Sequence, residues 1–419
     1  MTISDISWSG LLVDLSYLLY KYCCANMCFV ERQMCATRGQ FSQKITAENC
    51  EDKMEYLEME QKLKVGIIGA TGYVGQRFIT LLADHPWFEI AALCASPRSA
   101  GKTYEEAVEG RWKLDIPCPE SVKKMVVYGT DNIEEYVEKI DFTFCAVDMK
   151  KDEIRALEEK IAKLECPVVS NNSANRWTED VPMVIPEINS DHIKLIEAQR
   201  ARLGTKRGFI AVKPNCSIQS YVPALTPFLK NGIKAISVCT YQAISGAGKT
   251  FKDWPEMVGN VIPYIGGEEE KSEKEPLKVW GEFAGDHIEL AQKPVISAQC
   301  YRVAVQEGHT AAVSVSFENK PSKEEMIEVW KNYESEAVKL GLPSAPKHFL
   351  QYIEEDNRPQ PQLDANFENG MGVSVARLRE DNLFDYKFAC LSHNTLRGAA
   401  GGGVLTAELL VAKGYIQAK

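Results

Sequence analysis

Cys216 is the residue of this sequence best placed to act as a nucleophile. It stands in Lys213-Pro214-Asn215-Cys216-Ser217-Ile218, where a Pro-Asn pair ends the extended run Gly208-Phe209-Ile210-Ala211-Val212. Asn215 is a good N-cap, and the spacing of Ile218, Tyr221, Val222 and Leu225 predicts a helix with Cys216 on its first turn. A thiol there faces the positive end of the helix dipole, which favours the nucleophilic thiolate. A cysteine taken alone is ordinarily a small buried apolar residue; the capped position sets this one apart. His309 is one of six histidines. Alone it would be a satisfied structural residue, but beside a helix-capped thiol it is a candidate general base. Arg302, in the run Ser297 to Val305, is a charge in an expected sheet strand and needs a partner there.

The second chemical signal is Gly69-Ala70-Thr71-Gly72-Tyr73-Val74-Gly75. It follows the apolar run Lys64 to Ile68 and precedes Phe78, Ile79, Leu81 and Leu82. Strand, glycine turn and helix in that order let a backbone approach a pyrophosphate, which then rests on the helix N-terminus. The same turn also occurs in doubly wound folds that bind nothing. After the next strand, Phe88 to Cys94, an NAD site would carry an acid for the ribose hydroxyl. Here Ser96 and Arg98 follow instead, and a hydroxyl with a guanidinium suits a 2′-phosphate. The expectation is NADP, with a solvated loop charge as the plain alternative for Arg98. A thiolate, a histidine and a nicotinamide site together imply one chemistry. The thiolate adds to an aldehyde, hydride leaves to the cofactor, and a second nucleophile resolves the thioester. Backbone N–H groups at the Cys216 helix start would stabilise the oxyanion.

These residues need a frame. The chain has 419 residues, 45% hydrophobic and 25% charged, which is ordinary for a soluble enzyme of two domains. A net charge of -10 argues against nucleic acid or an anionic membrane as partner. The 13 cysteines show no paired CxxC spacing, so no metal site is expected, and reduced thiols in a cytoplasmic compartment are. Residues 1–61 read as a non-core extension. Alternation of strands and helices from Lys64 to Ser170 predicts a parallel sheet with right-handed crossovers. The polar loop Ser170 to Arg176 would lie at a strand end, where ligands bind. Later runs (235–243, 295–305, 310–317, 371–377, 386–391) predict a second sheet, the last two strands antiparallel. Glycines in Ser245-Gly246-Ala247-Gly248 would let a flat ring approach. Residues 251–291 read as irregular, with Glu268 to Lys271 as a solvated charge run; 321–340 read as one helix and 341–365 as a Pro-rich loop. A glycine-rich turn at 394–402, before an apolar helix over 404–411, suggests a return to the cofactor.

Over about residues 62–416 the chain resembles aspartate-semialdehyde dehydrogenase, of the branch found in fungi and archaea. The motifs are Gly69 to Gly75, Pro214-Asn215-Cys216, Gln242 to Gly248, Gly266 to Lys271, Arg302 with His309, and Asn394 to Gly402. The resemblance implies a Rossmann-type α/β domain (62–213 with 393–419) and an α+β catalytic and dimerisation domain with a mostly antiparallel sheet (214–392). It implies Cys216 as acyl-forming nucleophile, His309 as acid/base and Gln242 orienting the intermediate. Arg302 would bind the substrate carboxylate and Glu268 its amino group; Arg176, Asn215 and Lys271 would bind phosphate. Gly69, Thr71, Gly72, Tyr73, Val74, Gly75, Ser96, Arg98, Ser245, Gly246 and Asn394 would face NADP. The implied reaction reduces aspartyl phosphate with NADPH to aspartate semialdehyde and phosphate, in lysine, threonine, methionine and isoleucine biosynthesis, in a cytoplasmic homodimer or homotetramer. Malonyl-coenzyme A reductase is similar over the same motifs, and N-acetyl-glutamyl-phosphate reductase fits the His-bearing segment less well. A third reading is an inactive NADP-binding sensor.

Overall fold

The computed structural model describes residues 61–419, so the reading of residues 1–61 as an extension falls, but for its last residue, outside them. Six short strands build the first sheet: β1 (Leu63–Ile68), β2 (Phe88–Ala95), β3 (Val127–Gly129), β4 (Phe142–Cys145), β5 (Val168–Ser170) and β6 (Ile210–Val212). Their order is β3-β2-β1-β4-β5-β6, and every pairing is parallel. Val65, Ile67 and Ile68 are buried on both faces, as a central parallel strand must be when helices cover both sides. Those helices include α1 (Tyr73–Leu82), α2 (Lys151–Lys163) and α3 (Leu195–Leu203). α1 docks through Phe78, whose ring stacks on Phe144 at 4.3 Å. The strand order reverses between β1 and β4, and the crevice beyond their carboxyl ends is where such sheets take ligands.

Residues 218–225 form α4 (Ile218–Leu225), buried throughout. It lies under a seven-stranded sheet ordered β13-β14-β15-β12-β7-β11-β8. The strands are β7 (Ile233–Gln242), β8 (Val261–Ile262), β11 (Val295–Val303), β12 (His309–Phe317), β13 (Leu350–Ile353), β14 (Val373–Glu380) and β15 (Tyr386–Ser392). β7 with β11 and β13 with β14 run parallel; the other pairings are antiparallel, so the sheet is mixed but mostly antiparallel. Alternation along β7 turns Ile236, Val238, Thr240 and Gln242 inward and leaves Tyr241 exposed.

Three expectations change. The stretch 251–291 is not merely irregular. It holds α5 (Glu268–Val279) and a small hairpin of β9 (Glu282–Phe283) and β10 (Ile288–Glu289). α5 tolerates Pro276 because the carbonyl that proline leaves unbonded, Ser272 O, accepts from the Tyr221 hydroxyl at 2.7 Å. The single helix over 321–340 is two, α6 (Lys323–Lys331) and α7 (Glu336–Lys339). Ser335 starts the second by accepting from Val338 N–H at 3.3 Å, and a cap of that kind competes with helix continuation. The 341–365 segment contributes β13, paired with β14. The carboxyl end behaves as expected. A π-turn over Leu396–Ala400 feeds α8 (Gly401–Ala412), which is buried from Gly401 through Val411. Glycines permit that depth: a Cβ at Gly403 would lie 2.9 Å from Phe78 Cζ. Among the described residues no helix is long and apolar enough to cross a membrane.

Candidate active site

Cys216 lies in the turn just before α4, not on its first turn, and Ser217 is the N-cap residue. Asn215 still organises the helix start: its Oδ1 accepts from Ser217 N–H at 2.7 Å and from the Ser217 hydroxyl at 2.6 Å. Gly398 of the π-turn presses on Cys216 from behind, where a Cβ would stand 2.8 Å from Cys216 Cβ. The half-buried thiol is pushed up in pKa, first by burial and then by the Glu268 carboxylate; Lys213, Arg176 and Arg302 pull it down without reversing the direction. The expected stabilisation of a thiolate by the helix start is therefore outweighed by desolvation. Alkylation of the free protein by iodoacetamide should accordingly keep accelerating above pH 9. A plateau near pH 7 would show a thiolate already formed.

Cys216 Sγ stands 3.5 Å from His309 Nε2. His309 is the first residue of β12, opposite Ser392, rather than part of the loop before it. The ring is fully buried, and its Nδ1 accepts the backbone N–H of Ala243 at 3.1 Å. A neutral imidazole whose Nδ1 is an acceptor carries its proton on Nε2, here on the side of the sulfur. Burial, and next the nearby Arg302, push the His309 pKa well down, so the ring is neutral at physiological pH. Arg302 is buried on β11 beside Gln242 of β7. Its Nη1 donates to Ala243 O at 2.6 Å, which supplies the partner a buried strand arginine needs. A Cβ at Gly246 would come within 2.9 Å of Arg302 Nη1 and 3.2 Å of His309 Nε2, so a side chain there would crowd both.

Glu268 opens α5 and corrects the reading of that run as solvated. It is buried whereas Glu269 and Glu270 are exposed, which singles it out from its neighbours. Its carboxylate accepts from Asn215 Nδ2 at 3.0 Å, Gln242 Nε2 at 3.3 Å and Lys271 Nζ at 2.7 Å. Arg176 is buried behind this group. It donates to Glu275 at 2.8 Å, Lys213 O at 3.0 Å and Asn171 O at 3.3 Å, while Glu275 accepts Asn215 N–H at 2.6 Å. Arg176 thus braces the Asn215–Cys216 turn with protein partners. Cys216, His309, Gln242, Arg302, Glu268, Lys271 and Asn215 form one connected set.

On the other side of the crevice, Gly69 has φ +88°, and a Cβ on it would sit 2.2 Å from Ala146 O. A Cβ at Gly75 would lie 2.2 Å from Gly69 O. Both glycines are sterically required. Gly72 caps α1 without a side chain, and the first turn of α1 holds no acid. The helix start thus offers N–H groups and the positive end of its dipole, which fits a pyrophosphate. Thr71 and Val74 are half-buried on this turn. Ser96 and Arg98 are exposed just past β2. Asn394 Nδ2 donates to Ser245 Oγ at 2.7 Å, and Gly308 N–H donates to Asn394 Oδ1 at 2.8 Å. Among the described residues no group of His, Cys, Asp or Glu could hold a metal ion.

Residues 64–196 match the model of the semialdehyde dehydrogenase NAD-binding domain, and residues 225–397 match that of the semialdehyde dehydrogenase dimerisation domain. Aspartate-semialdehyde dehydrogenase of Saccharomyces cerevisiae is 42% identical over 371 residues, covering 85% of this chain and 100% of the relative. The chain belongs to the aspartate-semialdehyde dehydrogenase family. The enzyme of Archaeoglobus fulgidus is also 42% identical, over 84% of this chain and 98% of its own length, so the likeness spans fungi and archaea as expected. A crystal structure of the Candida albicans enzyme with NADP superposes with a TM-score of 0.76 at 40% identity, covering 85% of this chain and 100% of that one.

Two residues of this aspartate-semialdehyde dehydrogenase site escaped the sequence reading. Lys213 is buried, donates to Pro214 O at 2.6 Å and to Gly398 O, and is pushed down to about 7 by burial and by Arg176. Glu307 accepts hydrogen bonds from Tyr73, Arg77, Ser245 and Thr395. Each was visible only as one charge beside a motif: Lys213 before Pro-Asn-Cys, Glu307 before Gly-His.

Proposed function

We propose that this chain is an aspartate-semialdehyde dehydrogenase. It would reduce L-4-aspartyl phosphate to L-aspartate 4-semialdehyde and phosphate through a thioester on Cys216, as a step in lysine, threonine, methionine and isoleucine biosynthesis. The observation that carries the reading is the 3.5 Å approach of Cys216 Sγ to a protonated His309 Nε2, inside a crevice that also holds Arg302 and Glu268. Cys216 attacks the acyl carbon, and its thiol proton leaves with the departing phosphate. Bound NADPH would supply the hydride that reduces the thioester carbonyl. His309, neutral and held at Nδ1 by Ala243, donates a hydrogen bond from Nε2 to the oxyanion, which is electrophilic assistance rather than proton removal. The oxyanion then collapses, the C–S bond breaks, the aldehyde leaves, and the Cys216 thiolate takes a proton from solvent. Arg302 pairs with the substrate carboxylate and Glu268 with its ammonium. Gln242 and Asn215, both donating to Glu268, hold the acyl group in line; Lys271 and, through charge, Arg176 attract the phosphate.

For the cofactor, Gly69, Thr71, Gly72, Tyr73, Val74 and Gly75 would cradle the pyrophosphate, Ser96 and Arg98 the 2′-phosphate, and Ser245, Gly246 and Asn394 the nicotinamide. Arg98→Ala should weaken NADPH about tenfold more than NADH, the scale of one charge-assisted hydrogen bond. Titration of cofactor fluorescence measures both; an unchanged ratio would return Arg98 to a solvated loop charge. The residues sort into a cofactor domain (62–213 with 393–419) and a catalytic domain (214–392). The second carries an exposed sheet face with Val295 at 71% exposure and Tyr241 stacked on Tyr301 at 6.1 Å, suited to a homodimer or homotetramer. The eight cysteines of the described residues are all free, which suits the cytoplasm. The deciding assay is phosphate-dependent reduction of NADP with aspartate semialdehyde. Activity that needs coenzyme A in place of phosphate would move the assignment to malonyl-coenzyme A reductase.

A further inference from the structure

We propose that Glu307 is a positioning residue that ties the glycine turn to the strand bearing His309, an inference that rests on the reading of the site above. Its carboxylate is filled from opposite sides. Oε1 accepts from the Tyr73 hydroxyl at 2.6 Å and from Arg77 Nη2 at 3.0 Å, both on α1. Oε2 accepts from the Ser245 hydroxyl at 2.9 Å and the Thr395 hydroxyl at 3.1 Å, with His393 Nδ1 at 3.8 Å. A carboxylate offers about four acceptor sites, and these four donors occupy them. Three separate segments meet on one side chain: the helix of the glycine turn, the loop after β7, and the turn between β15 and α8.

The link continues to the reacting atoms. Ser245 Oγ accepts from Asn394 Nδ2 at 2.7 Å, and Asn394 Oδ1 accepts from Gly308 N–H at 2.8 Å. Glu307, Ser245, Asn394 and Gly308 therefore close a ring that ends on the residue before His309. Gly308 has φ +97°, and a Cβ there would lie 3.2 Å from Leu391 Cδ1 and from Pro361 Cβ, so the backbone into His309 has little freedom. The Arg77–Glu307 pair is partly solvent-exposed and contributes little to stability by itself. What it does is geometric: it fixes α1 to Ser245 and, through Asn394, to the turn that sets the His309 ring.

The test is a mutant cycle read by NADPH binding and by single-turnover hydride transfer. Glu307→Gln keeps the size and removes the charge. It should weaken NADPH and slow hydride transfer by about tenfold each, the loss of one charged hydrogen bond, with the KM for aspartate semialdehyde within about twofold of the parent. Tyr73→Phe removes the donor on the α1 side. Combined with Glu307→Gln it should cost no more than Glu307→Gln alone, because both break one link. Thr395→Val with Tyr73→Phe repeats the cycle with Glu307 left in place, which keeps the test open if Glu307→Gln folds poorly. Multiplicative losses in these cycles, or a lowered melting temperature with NADPH affinity and hydride transfer unchanged, would overturn the proposal. A parent protein that binds NADPH but shows no phosphate-dependent turnover would instead overturn the functional reading, and the binding cycle would still report on Glu307.

Discussion

Cys216→Ser is expected to lower turnover by at least about 10⁴-fold, the scale seen when a covalent nucleophile is removed, while NADPH affinity stays within about twofold. The asymmetry follows from the site. A serine hydroxyl needs a base to become a nucleophile. Among the described residues the ring within reach is His309, which presents an N–H at Nε2 and has its Nδ1 engaged by Ala243. A thiol is more acidic and its sulfur intrinsically more nucleophilic, so it attacks without a base and its proton leaves with the phosphate. The hydrogen bonds of the cofactor turn at Gly69 to Gly75 run to Cys94, Tyr104, Gln76 and Glu307, not to Cys216, so the substitution removes none of them. Steady-state assays and fluorescence titration check the two halves separately. Loss of NADPH binding along with turnover would mean the variant is misfolded or the crevice is shared differently. Residual turnover within about a hundredfold of the parent would remove Cys216 from the chemistry.

What could be read from the sequence was what depends on neighbours along the chain. The glycine turn announces itself because strand, turn and helix are contiguous, and the sterics that demand Gly69 and Gly75 act over a few residues. Cys216 stood out for its turn, although the electrostatic consequence came out reversed. The dipole of α4 is local, while the thiol is raised by burial, to which His309 and Gly398 contribute, and by the Glu268 charge, all far away in sequence. Glu268 shows the same limit. Its run of three glutamates is indistinguishable from a solvated helix start until Asn215 and Gln242, 53 and 26 residues away, are folded against it. The break between α6 and α7 was legible in principle, because Ser335 is a cap residue, but the apolar period continues across it and hides the stop. Glu307 offered no local sign of its role, since its bond to Tyr73 spans 234 residues.

The orientation of the His309 ring makes a sharper demand than the presence of a histidine. If its part is to present a neutral N–H from Nε2, then a side chain that places an amide N–H at that point should retain some of the function. Glutamine reaches about as far as Nε2; asparagine reaches only as far as Nδ1, the position already served by Ala243 N–H. His309→Asn should therefore lose about 10³-fold in turnover, the middle of the range for a group assisting at the transition state, and His309→Gln about tenfold less than that. A general base predicts no such order, since neither amide can take a proton. The pH profile separates the roles again. Burial and Arg302 hold the imidazole well below its ordinary pKa, so it stays neutral from well below that value upward, and turnover should show no inflection in the usual histidine range near pH 6.5. As pH falls toward the depressed value the ring gains a proton, and the only nitrogen left to take it is Nδ1. That would break the Ala243 bond that aims Nε2 at the sulfur, so activity should fall only there and cooperatively with loss of the fold around Ala243. Equal losses for the two amides, or an acid limb near pH 6.5 abolished by His309→Gln, would restore the base role and with it a ring flipped from the orientation described.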